Sequence, residues 1–242
     1  MAEKGLQVIL LSQTEILEPL VAMAAKLCYS PADLLKLLEK IGGQDQKDFI
    51  NRFMSSGHQS PLEHISFTFG IEGISRACSH QLVRHRIASF SQQSQRYVSE
   101  ASNDATDKIF DFIVPSSIKN LGVADTAEFE EQMRVIQGFY DHWIERFAQE
   151  LGKQGEKANE DARFVLPNAA ETKIITTMNA RQLLHFFAVR CCNRAQWEIR
   201  AMAKEMFKLA LAKAPTIFWQ AGPACRRDAC SEGKMSCGRA AE

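Results

Sequence analysis

Apolar and polar side chains follow two different periods along this chain. Between residues 65 and 71 they alternate one by one, which predicts a half-buried strand. Apolar residues recur close to every 3.6 positions over residues 125–151, which predicts a long amphipathic helix. Two shorter runs, residues 109–114 and 172–178, predict further strands. Helices outnumber strands and do not alternate with them strictly. We therefore expect an α+β fold: a helix-rich single domain around a small, mostly antiparallel sheet.

Several predicted helices begin at residues whose side chains can bond to free backbone N–H groups. Ser75 predicts the cap of a helix that runs to about Arg84. Asn179, with Gln182 three residues further on, predicts the start of another. The Ser/Gln-rich stretch over residues 87–99 predicts a polar loop. Ser30 before Pro31 predicts the cap of a helix over residues 31–42, and further helices are predicted over residues 45–56 and 195–212.

The composition limits which partners the protein can have. The chain has 242 residues, of which 45% are hydrophobic and 24% charged, as in an ordinary globular protein that buries its own core. Basic and acidic side chains number 29 each, so the formal net charge is zero. A general nucleic-acid binder usually carries a basic excess, so we expect no nucleic-acid partner. An anionic ligand must then be bound by a local arginine cluster.

The sequence also predicts a cytoplasmic protein without a membrane anchor. The apolar run near the N-terminus, at residues 8–11, is too short for the core of a signal peptide. No apolar stretch approaches the roughly 20 residues that cross a bilayer. The seven cysteines are an odd number scattered along the chain, and we expect free thiols.

The densest group of polar side chains lies between residues 81 and 97. It contains Arg84, His85, Arg86 and Arg96 among serines and glutamines. The planar fork of arginine matches phosphate oxygens in a bidentate manner, so this stretch suits a phosphorylated ligand. On charge pattern alone, a solvated basic helix end is the better interpretation.

The spacing of these residues, together with three other segments of the chain, indicates more than a basic helix end. Arg84-His85-Arg86, seven residues and then Ser94, followed by Arg96-Tyr97, resemble the signature of the flavin-dependent thymidylate synthases. Three more segments resemble that family in the same order along the chain. They are residues 57–64, residues 160–167, and residues 179–181 with Arg190 and residues 195–199. Four ordered motifs are far more specific than any one of them.

The resemblance implies a role for each matching residue. Those implied to bind FAD are His58, Ser60, Glu63, Arg84, His85, Arg86, Ile87, Gln92, Asn179, Arg181 and His185, with the last three approaching from another subunit. Those implied to bind deoxyuridine monophosphate (dUMP) are Gln81, Arg84, Gln92, Ser94, Gln95, Arg96, Arg163 and Arg190. The chain departs from some members at Ser91, Gln92, His185 and Arg194, which affects single hydrogen bonds and not the reaction.

The implied reaction is the reductive methylation of dUMP to dTMP. NADPH reduces the FAD, methylenetetrahydrofolate donates the carbon, and the reduced flavin supplies a hydride. The family is tetrameric, with sites at subunit interfaces. Our hypothesis is that Arg190 polarises the uracil ring, whereas Arg96 and Arg163 bind phosphate. The GxGxxG fingerprint is absent, so FAD would not lie in a Rossmann crevice.

Simpler interpretations of the same residues stay open. Arg181 and His185 could form a surface pair on one helix face, and Glu160 with Arg163 an intrahelical ion pair. A flavoprotein with another substrate and a non-enzymatic nucleotide-binding module are the rival functions. We divide the chain into a catalytic domain, residues 1–221, and a cysteine-bearing tail, residues 222–242. We interpret that tail as flexible rather than zinc-binding and predict no metal site.

Overall fold

The computed structural model describes residues 3–42, 45–102 and 109–239. Four strands form one antiparallel sheet: β1 (Gln7–Gln13), β2 (Ser66–Ser75), β3 (Ala88–Gln92) and β4 (Glu171–Asn179). Their order in the sheet is β1-β2-β4-β3. The predicted α+β class, with helices outnumbering strands around a small sheet, is confirmed.

Helices make up most of the described chain. They are α1 (Leu17–Leu27), α2 (Leu34–Gly42), α3 (Lys47–Ser55), α4 (Arg76–Leu82), α5 (Ser116–Leu121), α6 (Val123–Leu151), α7 (Glu156–Ala162), α8 (Ala180–Arg190), α9 (Trp197–Lys213) and α10 (Pro215–Phe218). Short 3₁₀ helices cover Ser60–His64, Arg163–Val165, Ala224–Arg226 and Gly233–Met235. Within the described ranges, none of these helices has the length and apolar character needed to cross a membrane.

The chain divides into two compact units whose segments interleave along the sequence. The first unit contains Met1–Gln7, Ile71–Leu82 and Ser91–Ile174. The second unit contains Val8–Gly70, Val83–Phe90 and Ile175–Glu242. The predicted boundary between residues 221 and 222 stays a prediction.

In the first unit the core forms between α6 and the extended segment that precedes α5. Phe110, Phe112 and Val114 are buried there with Met133 and Ala170. The amide N–H of Phe110 donates to the buried Gln137 side chain at 2.7 Å, so a polar group on α6 positions this segment. The core of the first unit therefore combines apolar packing with a directed hydrogen bond.

In the second unit aromatic side chains pack beneath the sheet. The ring of Phe218 meets those of Phe67 and Phe187 edge to face at 5.5 and 5.9 Å. The carboxylate of Glu18 accepts hydrogen bonds from the backbone N–H and the hydroxyl of Thr216, at 2.7 and 2.8 Å. These contacts hold the first turn of α10 against α1.

The helix caps predicted at Ser75 and Asn179 are confirmed. Ser75 Oγ accepts from the Cys78 N–H at 3.0 Å, and Asn179 Oδ1 accepts from the Gln182 N–H at 2.8 Å. The cap predicted at Ser30 was wrong. That helix begins later, at Leu34, because the Ser30 hydroxyl closes a local turn by accepting from the Ala32 N–H.

One predicted strand and one predicted loop were wrong. Residues 109–114 do not form a strand, because only Phe112 pairs, through isolated bridges to Glu3 and Ala170. The predicted loop at residues 87–99 contains β3, a polar strand beside β4. The N-terminal strand β1 was also missed.

Candidate functional site

A cavity of about 1030 Å³ lies in the second unit, and part of the predicted flavin set lines it. The sequence-predicted residues in its wall are Glu63, Ile87, Asn179, Arg181 and His185. They come from the 3₁₀ helix Ser60–His64, the turn after α4, and the beginning of α8. Three separate motifs of the signature therefore meet around one space.

The Asn179 cap positions the polar side of this cavity. The cap sets the first turn of α8, and the Ala180 N–H donates to the Ile65 carbonyl at 2.9 Å. Arg181 then forms an ion pair with Glu63 across 118 residues of sequence. His185 lies one turn further along α8 and lines the same cavity. Arg181 and His185 therefore lie side by side on α8 at the cavity wall, and Arg181 has an acidic partner there.

The hypothesised catalytic Arg190 is held by the central histidine of the signature. Arg190 Nε donates to His85 Nε2 at 2.9 Å. The His85 ring is buried and meets the ring of Phe186 edge to face at 4.8 Å. Burial, and then the nearby positive charge of Arg190 and His185, lower the pKa of His85 to about 4. His85 is therefore neutral at pH 7 and accepts through Nε2, with its proton on Nδ1.

This depressed pKa predicts a loss of stability in weak acid. Unfolded His85 takes up a proton below its ordinary pKa of 6.5, whereas folded His85 stays neutral until about pH 4. The stability present above pH 6.5 is lost as the pH falls towards 4, by at most about 3 kcal/mol. Urea unfolding of the wild type and of His85→Gln at pH 7 and pH 4.5 measures this contribution. The wild type should lose more stability than the variant, and parallel losses would contradict the assignment.

In the first unit, residues of the predicted nucleotide set cluster after β3. Gln92 Nε2 donates to Ser79 Oγ at 2.9 Å and to Thr172 Oγ1 at 3.1 Å, which fixes its amide. Ser94 Oγ accepts from the Arg96 N–H at 3.2 Å and closes a turn. The side-chain nitrogen of Gln95 is buried, with no hydrogen-bond partner among the described residues. A buried unpaired donor is costly, so this nitrogen indicates a place for an acceptor.

Two predicted phosphate-binding arginines share one acidic neighbour. Arg96 forms ion pairs with Glu156 and, at 3.2 Å, with Glu160. Arg163 Nε donates to the backbone carbonyl of Glu160 at 3.2 Å. The carboxylate of Glu160 thus pairs with Arg96, and the structure does not show the intrahelical ion pair considered for Arg163. A bound anion would compete with these carboxylates for Arg96.

The remaining predicted residues are on or near the same elements without contacts that define a role. His58 and Ser60 are exposed around the start of the 3₁₀ helix Ser60–His64. Arg84 and Arg86 are exposed on either side of buried His85, and Gln81 is half-buried on α4. Their ligand roles stay predictions.

Sequence reasoning missed several residues close to these groups. Arg76 in the first unit is half-buried, and burial followed by repulsion from Arg163 lowers the pKa of its guanidinium. Trp219, Gln220 and Arg227 line the cavity of the second unit. None of them belongs to a motif of the signature, so the sequence carried no signal for them.

The cysteines do not contribute to the cavity wall. No disulfide joins any of the seven cysteines, as expected, and no cluster of metal-ligating residues occurs within the described ranges. Burial raises the pKa of the Cys191 thiol to about 11, so this side chain stays protonated and fills apolar space.

Comparison with known proteins agrees with the signature. The family described as "Thymidylate synthase complementing protein" matches residues 9–216. The flavin-dependent thymidylate synthase of Geobacter sulfurreducens is 52% identical over 237 residues, covering 98% of this chain and 96% of the relative. That of Clostridium tetani is 48% identical over 245 residues, covering 98% and 95%.

The fold agrees as well. A crystal structure of thymidylate synthase X from Helicobacter pylori with FAD and dUMP superposes with a TM-score of 0.61 at 23% identity. The match covers 88% of this chain and 97% of that chain. Because the family match and the identity extend over nearly the whole sequence, this chain belongs to the flavin-dependent thymidylate synthases.

Proposed function

We propose that this enzyme converts dUMP to dTMP by reductive methylation, with FAD as cofactor. The observation that carries the proposal is the cavity in which three motifs of the family signature meet. Its volume is just above the roughly 300–1,000 Å³ typical of ligand sites, which suits a large cofactor. Ile87 and Ala188 give it apolar surface, and Arg181, Glu63 and Asn179 give it polar groups. When bound, FAD supplies the hydride that completes the methyl group.

The residues of the second unit would hold and orient the flavin. The ion pair between Arg181 and Glu63 offers both a donor and an acceptor beside the apolar surface of Ile87. Neutral His85 fixes the direction of Arg190 through its Nε2 atom. Arg190 would then offer a fixed positive charge to a uracil ring that gains negative charge during the reaction.

The residues of the first unit would bind the nucleotide. Arg96 and Arg163 supply charge for the phosphate, and Arg76 adds positive potential beside Arg163. The buried nitrogen of Gln95 would donate to a nucleotide oxygen. Gln92, fixed by Ser79 and Thr172, would define one edge of the site. We do not assign a catalytic nucleophile to any of them.

We further propose NADPH as reductant, methylenetetrahydrofolate as one-carbon donor, and a cytoplasmic homotetramer with interfacial sites. An apolar stripe along α6 supports self-association. Val135, Phe139 and Trp143 follow one another at every fourth position, and each is 43–56% exposed. A stripe of this kind on a long helix suits contact with another subunit.

The visible spectrum of the purified protein is the first test. We expect flavin absorbance, bleaching by NADPH in the absence of oxygen, and formation of dTMP once dUMP and methylenetetrahydrofolate are added. A protein without flavin bands after incubation with FAD would favour the non-enzymatic nucleotide-binding module. Bleaching without dTMP would favour a flavoprotein with another substrate.

The phosphate assignment predicts a specific kinetic effect. Arg163→Gln and Arg96→Gln should each raise the KM for dUMP about 10- to 100-fold, because a charge-assisted hydrogen bond contributes about 1.5–3 kcal/mol. Turnover at saturating dUMP should stay within about twofold of the wild-type value, because the phosphate is bound equally strongly in the ground state and in the transition state. Steady-state kinetics measure both values. The control is Arg134→Gln, which removes an arginine from the exposed surface of α6. A large loss of kcat with unchanged KM would contradict a pure phosphate role.

A further inference from the structure

The chain contributes more to the cavity than the residues of the family signature. The match to the family ends at residue 216, yet Trp219, Gln220 and Arg227 lie in the cavity wall. They share this wall with Arg181 and His185, the flavin residues of α8. The segment after α10 therefore forms part of the cavity that the signature residues line.

Trp219 offers this cavity an aromatic surface. Its indole Nε1 donates to Asn51 Oδ1 at 3.2 Å, which orients the ring. The side chain is nevertheless 53% exposed. An exposed, oriented indole beside a cavity is suited to stack on a planar heterocycle.

Arg227 offers an unused positive charge. Its guanidinium donates to the Gln220 side-chain oxygen at 3.1 Å, and no carboxylate in the described ranges forms an ion pair with it. Among the described residues, the wall contains two arginines, Arg181 and Arg227. Glu63 neutralises Arg181, whereas no acidic residue described in the wall pairs with Arg227. An unpaired guanidinium favours an anionic ligand.

The segment that carries Arg227 is attached to the rest of the second unit. Arg194 pairs with Glu232 at 2.6 Å, and the Arg226 guanidinium lies over the Phe207 ring at 5.2 Å. Arg226 also donates to the Ala221 carbonyl. Arg227 is therefore flanked by anchored residues on both sides.

We propose that Trp219 and Arg227 form a subsite for the adenosine-pyrophosphate half of a dinucleotide, with adenine stacked on Trp219 and pyrophosphate bound by Arg227. The inference rests on the proposed function, because FAD and NADPH both contain this half. An aromatic surface and an unpaired guanidinium in one cavity wall match a ligand that carries both a purine and an anion. Riboflavin lacks that half and should not depend on the subsite.

Equilibrium binding to flavin-free protein tests the subsite directly. Arg227→Gln should weaken the binding of ADP about tenfold and leave the binding of riboflavin unchanged. Arg227→Lys keeps the charge and should recover part of the affinity. Trp219→Leu should weaken ADP about fivefold, whereas Trp219→Phe, which still stacks, should lose less. Arg239→Gln removes the same charge from the same segment outside the cavity wall and is the matched control.

Two further measurements identify the dinucleotide. If FAD is the occupant, Arg227→Gln raises the Kd for FAD about tenfold and leaves the NADPH concentration for half-maximal flavin bleaching unchanged. If NADPH is the occupant, that concentration rises about tenfold at unchanged FAD affinity. Unchanged values for both, an equal effect of Arg239→Gln, or an equal loss of riboflavin binding would overturn the subsite. If the variants give those results while the wild type binds FAD and makes dTMP, the subsite is wrong and the proposed function is unaffected.

Discussion

Replacement of Arg190 by alanine is expected to lower the turnover of dUMP about 10²- to 10³-fold, which corresponds to about 2.7–4 kcal/mol of lost transition-state stabilisation. The reason is the fixed charge of Arg190. Its Nε is bonded to the neutral His85, which directs the guanidinium without neutralising it. A charge oriented before the reaction needs no reorganisation when the ring becomes negative.

Single-turnover flavin oxidation at saturating dUMP separates this effect from weaker binding. Arg190→Lys should recover part of the rate, because it restores the charge but not the planar fork. Lys208→Ala, which removes an exposed cation paired with Glu205 on α9, is the control and should keep full turnover. Full turnover of Arg190→Ala with saturating nucleotide would show that the uracil ring does not need this charge.

The strands that the sequence predicted are those whose side chains differ between the two faces. β2 alternates between buried and half-buried positions along most of its length, and the alternation is visible in the order of phenylalanine and polar residues. β3 consists of serines, glutamine, alanine and one phenylalanine, so composition indicated a loop. Its pairing with β4 supplies the hydrogen bonds that local propensity does not reveal.

Residues 109–114 illustrate the opposite error. Phe110, Phe112 and Val114 are all buried, and so is Ile113 between them. An apolar run of this kind predicts a strand, but it does not show whether the backbone finds a continuous partner. Here Phe110 bonds to the side chain of Gln137 and only Phe112 forms bridges. Isolated tertiary contacts therefore hold this segment, and no continuous ladder of strand hydrogen bonds forms along it.

Motifs predicted five residues of the cavity wall, whereas the partners of the predicted residues became visible only in the structure. The signature named Glu63, Arg181, Arg96 and Arg190 without stating their partners. Arg181 meets Glu63 over 118 positions, and Arg96 meets Glu156 over 60. The periodic pattern of apolar and polar residues does not show which residues pair over such long separations in sequence. Arg227 and Trp219 carried no motif and were found only because they line the same cavity.

Gly73→Ala is expected to destabilise the first unit by about 4 kcal/mol, which combines the cost of a strained backbone with that of an overpacked contact. Gly73 has a φ of +69°, in the left-handed region that side chains disfavour. A Cβ atom added there would lie 1.9 Å from the Gly5 carbonyl oxygen. Because that neighbour is backbone, no side-chain rotation can relieve the overlap.

A shift of the backbone to make room would have a second cost. The N–H of Gly73 donates to Glu171 at 2.8 Å, and Glu171 is buried, with a pKa that burial raises above its ordinary value. Moving Gly73 away would leave this carboxyl group with one donor fewer. The close contact with Gly5 and the hydrogen bond to Glu171 therefore both make the substitution unfavourable.

Thermal unfolding at equal FAD concentration measures the effect. A loss of 4 kcal/mol should lower the Tm by about 8–16 °C in a chain of this size. Gly138→Ala is the matched control, because a Cβ at that position on α6 meets nothing within 4 Å. It should raise stability by about 0.5–1 kcal/mol, since alanine favours the helix. Equal Tm values for Gly73→Ala and wild type would mean that Gly5 can move aside at little cost.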